Sequence, residues 1–63
     1  MNRIRELRQK KQLTQEELAR LLRVDRSSVA KWETGSNSPR MDKLLLLAKF
    51  LECSLDDLVQ EGE

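Results

Sequence analysis

Two helix-start signals, at Thr14 and Asp25, stand so close together that only Arg23-Val24-Asp25 is left to turn the chain between the helices they begin. Thr14 and Glu17 make a T-x-x-E capping box, whose side chains satisfy two of the N–H groups that a helix start leaves unpaired. Leu13 before the cap and Leu18 after it are placed to staple that start. Leu18, Leu21 and Leu22, with Ala19 beside them, are expected to form the buried stripe of this helix. Asp25 is a good N-cap residue for the next helix, expected over residues 26–34, with Val24 and Val29 at its staple positions and Gly35 as its stop. Two short helices joined by about three residues must cross steeply, and the crossing point admits only a small side chain on the first. Ala19 supplies it, against Val29 and Trp32. The opposite face of the second helix, Arg26, Ser27, Ala30 and Lys31, is left projecting.

The rest of the chain also reads as helix, because apolar residues recur at helical spacing and one proline and two glycines interrupt them. A first helix is expected over residues 2–11, with Ile4 and Leu7 inward. Ser36-Asn37-Ser38-Pro39 is a polar loop. A fourth helix, starting at 39 or 40 and ending at 51, carries Met41, Leu44, Leu45, Leu47, Ala48 and Leu51 as one wide inner face. Ser54 with Asp57 repeats the capping-box logic for a last helix over residues 55–60. The expected architecture is all-α, five helices in one domain over residues 1–60, with a frayed acidic tail at 61–63.

Composition closes off several function classes. Sixty-three residues make a single small domain with little room for a deep cleft. There is no histidine, and Cys53 is the only cysteine, so disulfide frameworks, Cys/His zinc sites and histidine acid–base chemistry are excluded. No nucleophile–base pair supports an enzyme, and no cofactor or metal is expected. The charged N-terminus is unlike a signal peptide, and the longest apolar run, residues 44–47, is too short for a membrane. A lone cysteine suits a reducing cytosol.

The net charge of +1 conceals two poles. Residues 1–31 hold nine Lys/Arg and four acids, a net +5, and residues 32–63 hold three and seven, a net −4. A basic front suits a chain that turns one face to a polyanion, and the same pattern suits ordinary solvated helices. The projecting face of residues 26–31 weights the first reading, since a second helix so held enters the DNA major groove with its N-terminus leading.

Leu13-Thr14-Gln15-Glu16-Glu17-Leu18-Ala19, Val29-Ala30-Lys31-Trp32-Glu33-Thr34-Gly35, Pro39 and Ser54-Leu55-Asp56-Asp57-Leu58 together resemble the phage-repressor-like (Cro/Xre-type) helix-turn-helix family, over nearly the full chain. The resemblance implies a lambda-repressor-like fold. It also implies a transcriptional regulator, a repressor before an activator, bound to a double-stranded DNA operator in a prokaryotic or phage-encoded, cytoplasmic, nucleoid-associated setting. By the same resemblance Gln15 bonds a phosphate and braces the recognition helix. Arg26, Ser27 and Lys31 face base edges, with Ala30 on the same face. Thr34 and the loop Ser36, Asn37 and Ser38 touch phosphates. Arg8 and Glu33 form a partly buried ion pair. The region of the last helix makes the contact of a weak homodimer on a palindromic operator.

Two departures from the family pattern stand out. Arg23 and Glu52 occupy positions where glycine is usual, at a left-handed cost of roughly 1–2 kcal/mol each. Arg40 stands where a capping Ser or Thr is usual, so Ser38 is expected to cap the fourth helix with Pro39 in its first turn.

Plainer readings compete at most of these positions. Arg26 can hold guanine bidentately, or meet a phosphate or Asp25. Lys31 divides between base and phosphate, Ser27 between base and helix start, and Gln15 between phosphate and helix-start solvation. Trp32 is a packing residue before it is a stacking platform. Cys53 is an inert buried thiol before it is a redox group. Asp56 and Asp57 point about 100° apart and make no catalytic or metal pair. Leu46 and Phe50, four apart, either complete the core edge or join Leu55, Leu58 and Val59 in self-association. The rival function is a protein-interaction module whose C-terminal helices bind a protein partner.

Overall fold

Residues 3–59 are described in the computed structural model, and they form five helices: α1 Ile4–Lys10, α2 Gln15–Leu22, α3 Arg26–Thr34, α4 Met41–Leu51 and α5 Leu55–Val59. The α2 start is the one its sequence demands. Thr14 Oγ1 accepts from the Glu17 N–H at 3.0 Å, and Glu17 Oε1 accepts from the Thr14 N–H at 2.8 Å, so both halves of the capping box are made. The α5 start shows the forward half of the same device, with the Asp57 N–H donating to Ser54 Oγ at 3.0 Å.

The other three starts, of α1, α3 and α4, have no side-chain cap bond. Asp25 is the N-cap of α3 but makes no side-chain cap bond, and the first turn is closed by the Ser28 N–H on the Asp25 carbonyl at 3.0 Å. The expected Ser38 cap of α4 is not formed. Arg40 is the N-cap, extended and without a side-chain bond, and the Leu44 N–H reaches its carbonyl at 2.8 Å. Pro39 therefore precedes the helix instead of opening it. Helix α1 is also shorter than expected, with Lys11 as its C-cap. Asn2, Gln60 and the tail at 61–63 lie outside the described residues.

The ends of α2 and α4 bear out the reading of Arg23 and Glu52. Both are left-handed C-caps, with φ of 59° and 55°. Gln12, between α1 and α2, adopts the same conformation with φ 59°, which the sequence did not signal. Gly35 ends α3 at φ 84° with open space where a Cβ would stand, so glycine is favoured there for its backbone and not for room. The last carbonyl of α2, on Leu22, accepts from Lys43 Nζ of α4 at 2.9 Å, a long-range cap that ties α2 to α4.

The core gathers Ile4 and Leu7 of α1, Leu18, Ala19 and Leu22 of α2, Val29 and Trp32 of α3, Leu47 and Leu51 of α4 and Leu58 of α5. Helix α1 packs on α3, α4 and α5, while α2 packs on α3 and α4. Leu21, expected in the buried stripe, is 44% exposed: it lies about 100° around the helix from the Ala19–Leu22 side. The wide inner face expected of α4 is narrower too. Met41 and Leu45 point outward, at 62% and 54% exposed, while Leu46 and Phe50 pack on the core edge. Leu58 was expected at a dimer contact but is enclosed by this chain's own core, fully buried, and is unavailable to a partner.

Candidate nucleic-acid interface

The crossing of α2 and α3 sets the candidate site. Ala19 is 3% exposed at the crossing, and Val29 and Trp32 are buried beneath α3. Trp32 is thereby a core residue with no free ring face for stacking. With that side of α3 committed inward, Arg26, Ser27 and Lys31 are exposed on the other, and Ala30 is half-buried between them. The structure thus brings the four expected groove-facing residues to one surface.

Beyond the helix, Thr34, Ser36, Asn37 and Ser38 are all exposed, yet their donors are not equally free. The N–H groups of Ser36 and Asn37 both donate to the Lys31 carbonyl, at 3.0 and 3.3 Å. Thr34 Oγ1 donates to the same carbonyl at 3.1 Å and lies 3.1 Å from Ser36 Oγ. Since a hydroxyl has one hydrogen, Ser36 must be the donor in that second contact. Among the side chains of the loop, the Asn37 carboxamide and the Ser38 hydroxyl are outside this internal network.

Behind the site is a pair of charges. Arg8 Nε donates to Glu33 Oε2 at 2.6 Å and Nη2 to Oε1 at 3.3 Å, with side chains 10% and 4% exposed. Arg8 Nη1 donates to the Leu13 carbonyl at 2.7 Å, so the guanidinium joins α1, the α1–α2 turn and the end of α3. The implied ion pair is present and more deeply buried than expected. Gln15 is part of it. Its Nε2 donates to Glu33 Oε1 at 2.9 Å, and its Oε1 accepts from Arg26 Nη1 at 3.1 Å. The Arg26 guanidinium thus meets Gln15, not Asp25. These two bonds are the brace on the recognition helix that the resemblance implies for Gln15; their particular partners, Arg26 and Glu33, had no local signal because only the crossing brings them together.

An open groove lies alongside, lined by Gln9, Gln12, Thr14 and Gln15 with Arg8 and Arg26. Gln9 and Gln12 were not singled out by their sequence positions, and the left-handed turn at Gln12 contributes to placing them there. Between α4 and α5 Cys53 is half-buried, and burial first, then the nearby Asp57, pushes its thiol pKa up. A thiol so placed stays protonated at neutral pH, which favours the inert reading. No helix among the described residues is long and apolar enough to cross a membrane.

A five-helix domain that exposes the polar face of the second helix of a tight pair defines a helix-turn-helix module. The helix-turn-helix family model matches residues 4–58, and the chain belongs to that family, in its Cro and phage-repressor branch. It is 40% identical over 60 residues to the HTH-type transcriptional activator BcrR of Enterococcus faecalis, covering 95% of this chain and 29% of that protein. It is 34% identical over 62 residues to the cryptic phage CTXphi transcriptional repressor RstR of Vibrio cholerae, covering 98% of this chain and 56% of that protein. The chain therefore spans from under a third to just over half of these relatives. Among solved structures, the P22 c2 repressor in complex with a synthetic operator superposes with a TM-score of 0.87 at 33% identity, covering 95% of this chain and 91% of that one.

Proposed function

We propose that the chain binds double-stranded DNA sequence-specifically, with α3 in the major groove, and thereby regulates transcription. The observation that carries this reading is the exposed face of Arg26, Ser27 and Lys31, presented by a fold similar to a repressor solved on its operator. Arg26 reads a base edge, Lys31 and Ser27 assist, and phosphate contacts come from Gln15 and the loop of Thr34, Ser36, Asn37 and Ser38. Asn37 and Ser38 make theirs at no internal cost, whereas Thr34 and Ser36 must release a bond. The reading needs no cofactor, metal or catalytic group, places the protein in the cytoplasm, and takes residues 1–60 as the binding unit.

Binding is as a homodimer on a two-fold operator, with half-sites about one helical turn, roughly 34 Å, apart. Val59, 49% exposed, and the half-buried Leu55 supply apolar surface for that contact, with Leu46 and Phe50 at its edge. Repression follows where the operator overlaps a promoter; the relatives named above include both a repressor and an activator. The exposed Met41 and Leu45 of α4 favour a second reading beside this one, a protein partner on the C-terminal helices.

Selection from a random duplex pool, followed by footprinting, is the test. A palindromic consensus protected by two chains is the expected result. Arg26→Ala then weakens the selected site by about 1–3 kcal/mol and random DNA far less. A pool that enriches no sequence overturns the DNA reading in favour of the protein-interaction module, and one chain on an unrepeated half-site overturns the dimer.

A further inference from the structure

We infer that Glu33, a residue buried behind the interface, is a positioning residue for base specificity: it fixes which end of the Gln15 amide faces Arg26, and so aims the Arg26 guanidinium. This rests on the reading of Arg26 as a base contact, and extends it to a residue that itself faces no DNA.

The inference follows from the donor and acceptor inventory of four side chains. An ionised carboxylate accepts hydrogen bonds and donates none. Glu33 Oε2 takes Arg8 Nε, and Oε1 takes both Arg8 Nη2 and Gln15 Nε2. A flipped Gln15 amide would set its oxygen against that carboxylate, so the NH₂ group must point at Glu33. Gln15 Oε1 is then turned outward, where it accepts from Arg26 Nη1 at 3.1 Å. Donation thus runs from Arg26 to Gln15 to Glu33, where it meets the opposing donation from Arg8.

The hold on Arg26 uses one of five guanidinium hydrogens and leaves its Nε–Nη2 edge open for a bidentate contact with a base. Glu33 is also well suited to hold still. Its side chain is 4% exposed, and two bonds from Arg8 fix its carboxylate. Arg26 is exposed and long, and a free side chain of that kind loses rotamer freedom on binding. Anchoring it beforehand reduces that loss only for the geometry in which it is anchored, which is a gain in discrimination more than in affinity.

The experiment reverses the polarity. In Glu33→Gln the new amide can keep its oxygen on Arg8 Nε, the shorter of the two Arg8 bonds, and give up the 3.3 Å bond from Nη2 to set its NH₂ toward residue 15, which flips the Gln15 amide and sets NH₂ against Arg26. Affinity is measured for the duplex selected from the random pool and for its single-base-pair variants, using folded protein checked by circular dichroism. Discrimination at the base pair lost in Arg26→Ala is expected to fall about five- to tenfold, with other positions changed much less. Gln15→Glu combined with Glu33→Gln restores an acceptor to Arg26 and is expected to recover that discrimination, even though a second carboxylate near DNA lowers affinity on every sequence. Uniform loss in Glu33→Gln, with discrimination intact, overturns the inference and makes Glu33 a purely structural residue.

Should Glu33→Gln fail to fold, Gln15→Met keeps the Arg8–Glu33 pair and breaks both bonds of the relay. It is expected to lose the same discrimination, and its retention overturns the inference. If Arg26→Ala changes discrimination nowhere, the base-reading role fails and the specificity claim falls with it. Guanidinium NMR in the free protein separates that failure from failure of the hold. Slowed rotation at Arg26 Nη that speeds up in Gln15→Met shows the anchor; equal rotation in both shows none.

Discussion

The structure contains two ion pairs of identical length that are not equivalent interactions. Arg8–Glu33 and Lys11–Glu52 each close at 2.6 Å, and each joins segments far apart in sequence. The first has side chains 10% and 4% exposed, with further bonds to the Leu13 carbonyl and Gln15. The second has side chains 35% and 72% exposed and joins the C-cap of α1 to the C-cap of α4. Separation does not rank them; surroundings do. Water screens and replaces the outer pair, whereas a partner removed from the inner pair leaves a buried charge with only a neutral hydrogen-bond partner, the Leu13 carbonyl for Arg8 or the Gln15 amide for Glu33.

The largest effect expected from this contrast is the loss of one inner partner. Arg8→Ala or Glu33→Ala costs about 3–5 kcal/mol in thermal melting, against a total of roughly 3–9 kcal/mol for a domain of this size. Replacing both with apolar residues of similar volume recovers much of the loss. A single-variant cost under about 0.5 kcal/mol would put the inner pair in the same class as the outer one and erase the contrast.

Next in size is a gain. Arg23→Gly and Glu52→Gly each relieve a left-handed backbone worth roughly 1–2 kcal/mol, less the 0.5–1 kcal/mol of chain entropy that glycine brings. The expected outcome is a rise of about 0.5–1 kcal/mol in denaturant unfolding. Glu52→Gly is the sharper of the two, since it also deletes the outer pair. Net destabilisation there would mean that Lys11–Glu52 contributes more than a surface pair does.

Lys11→Ala removes the same pair without touching the strained position. It is expected to cost about 0.2–0.5 kcal/mol, and less as salt is raised.

The smallest effect is on pH dependence. The hydrogen bond from Lys11, and then its charge, hold the Glu52 carboxyl below the usual carboxylate range. A depressed folded-state pKa gives stability that is present above the unfolded value, near 4.3, and is lost as pH falls through the folded value. Melting of the parent and of Glu52→Gln is expected to differ slightly at neutral pH and to converge in acid. A constant difference across that range would remove the ionised pair from the account.

What the sequence disclosed about this molecule depended on how local each feature is. The α2 capping box, the Gly35 stop and the small Ala19 at the crossing were legible because residues a few positions apart determine them. The left-handed ends at Arg23 and Glu52 were legible only through the glycines usual at those positions, and Gln12 had no such marker. Leu21 and Leu45 were misplaced because an apolar residue at helical spacing is not obliged to face inward, and neighbouring helices decide which arc is covered. Leu58 was misplaced for the converse reason: a short helix buries more of itself when α1 and α4 close over it. The surface that carries Arg26, Ser27 and Lys31 was read correctly as a surface. The relay through Gln15 to Glu33 was legible only as the brace that the family resemblance implies for Gln15, since its members lie 11 and 18 residues apart and meet only once α2 and α3 have crossed.

The Arg3 N–H donates to the Leu58 carbonyl at 3.0 Å, so the first and last described turns touch. That closure sets an order in time. Contacts between α2 and α3, such as Gln15 with Arg26, close a short loop, whereas Arg3 with Leu58 closes one about five times longer, at an extra entropic cost of about 1.4 kcal/mol. Nearby pairs meet first and distant ones later, so the α2–α3 unit assembles ahead of the clasp between α1 and α5. Run backwards, the same order makes that clasp the first part to open in the native state, with the Arg3 amide trading its hydrogen for solvent deuterium well before the amides at the α2–α3 crossing.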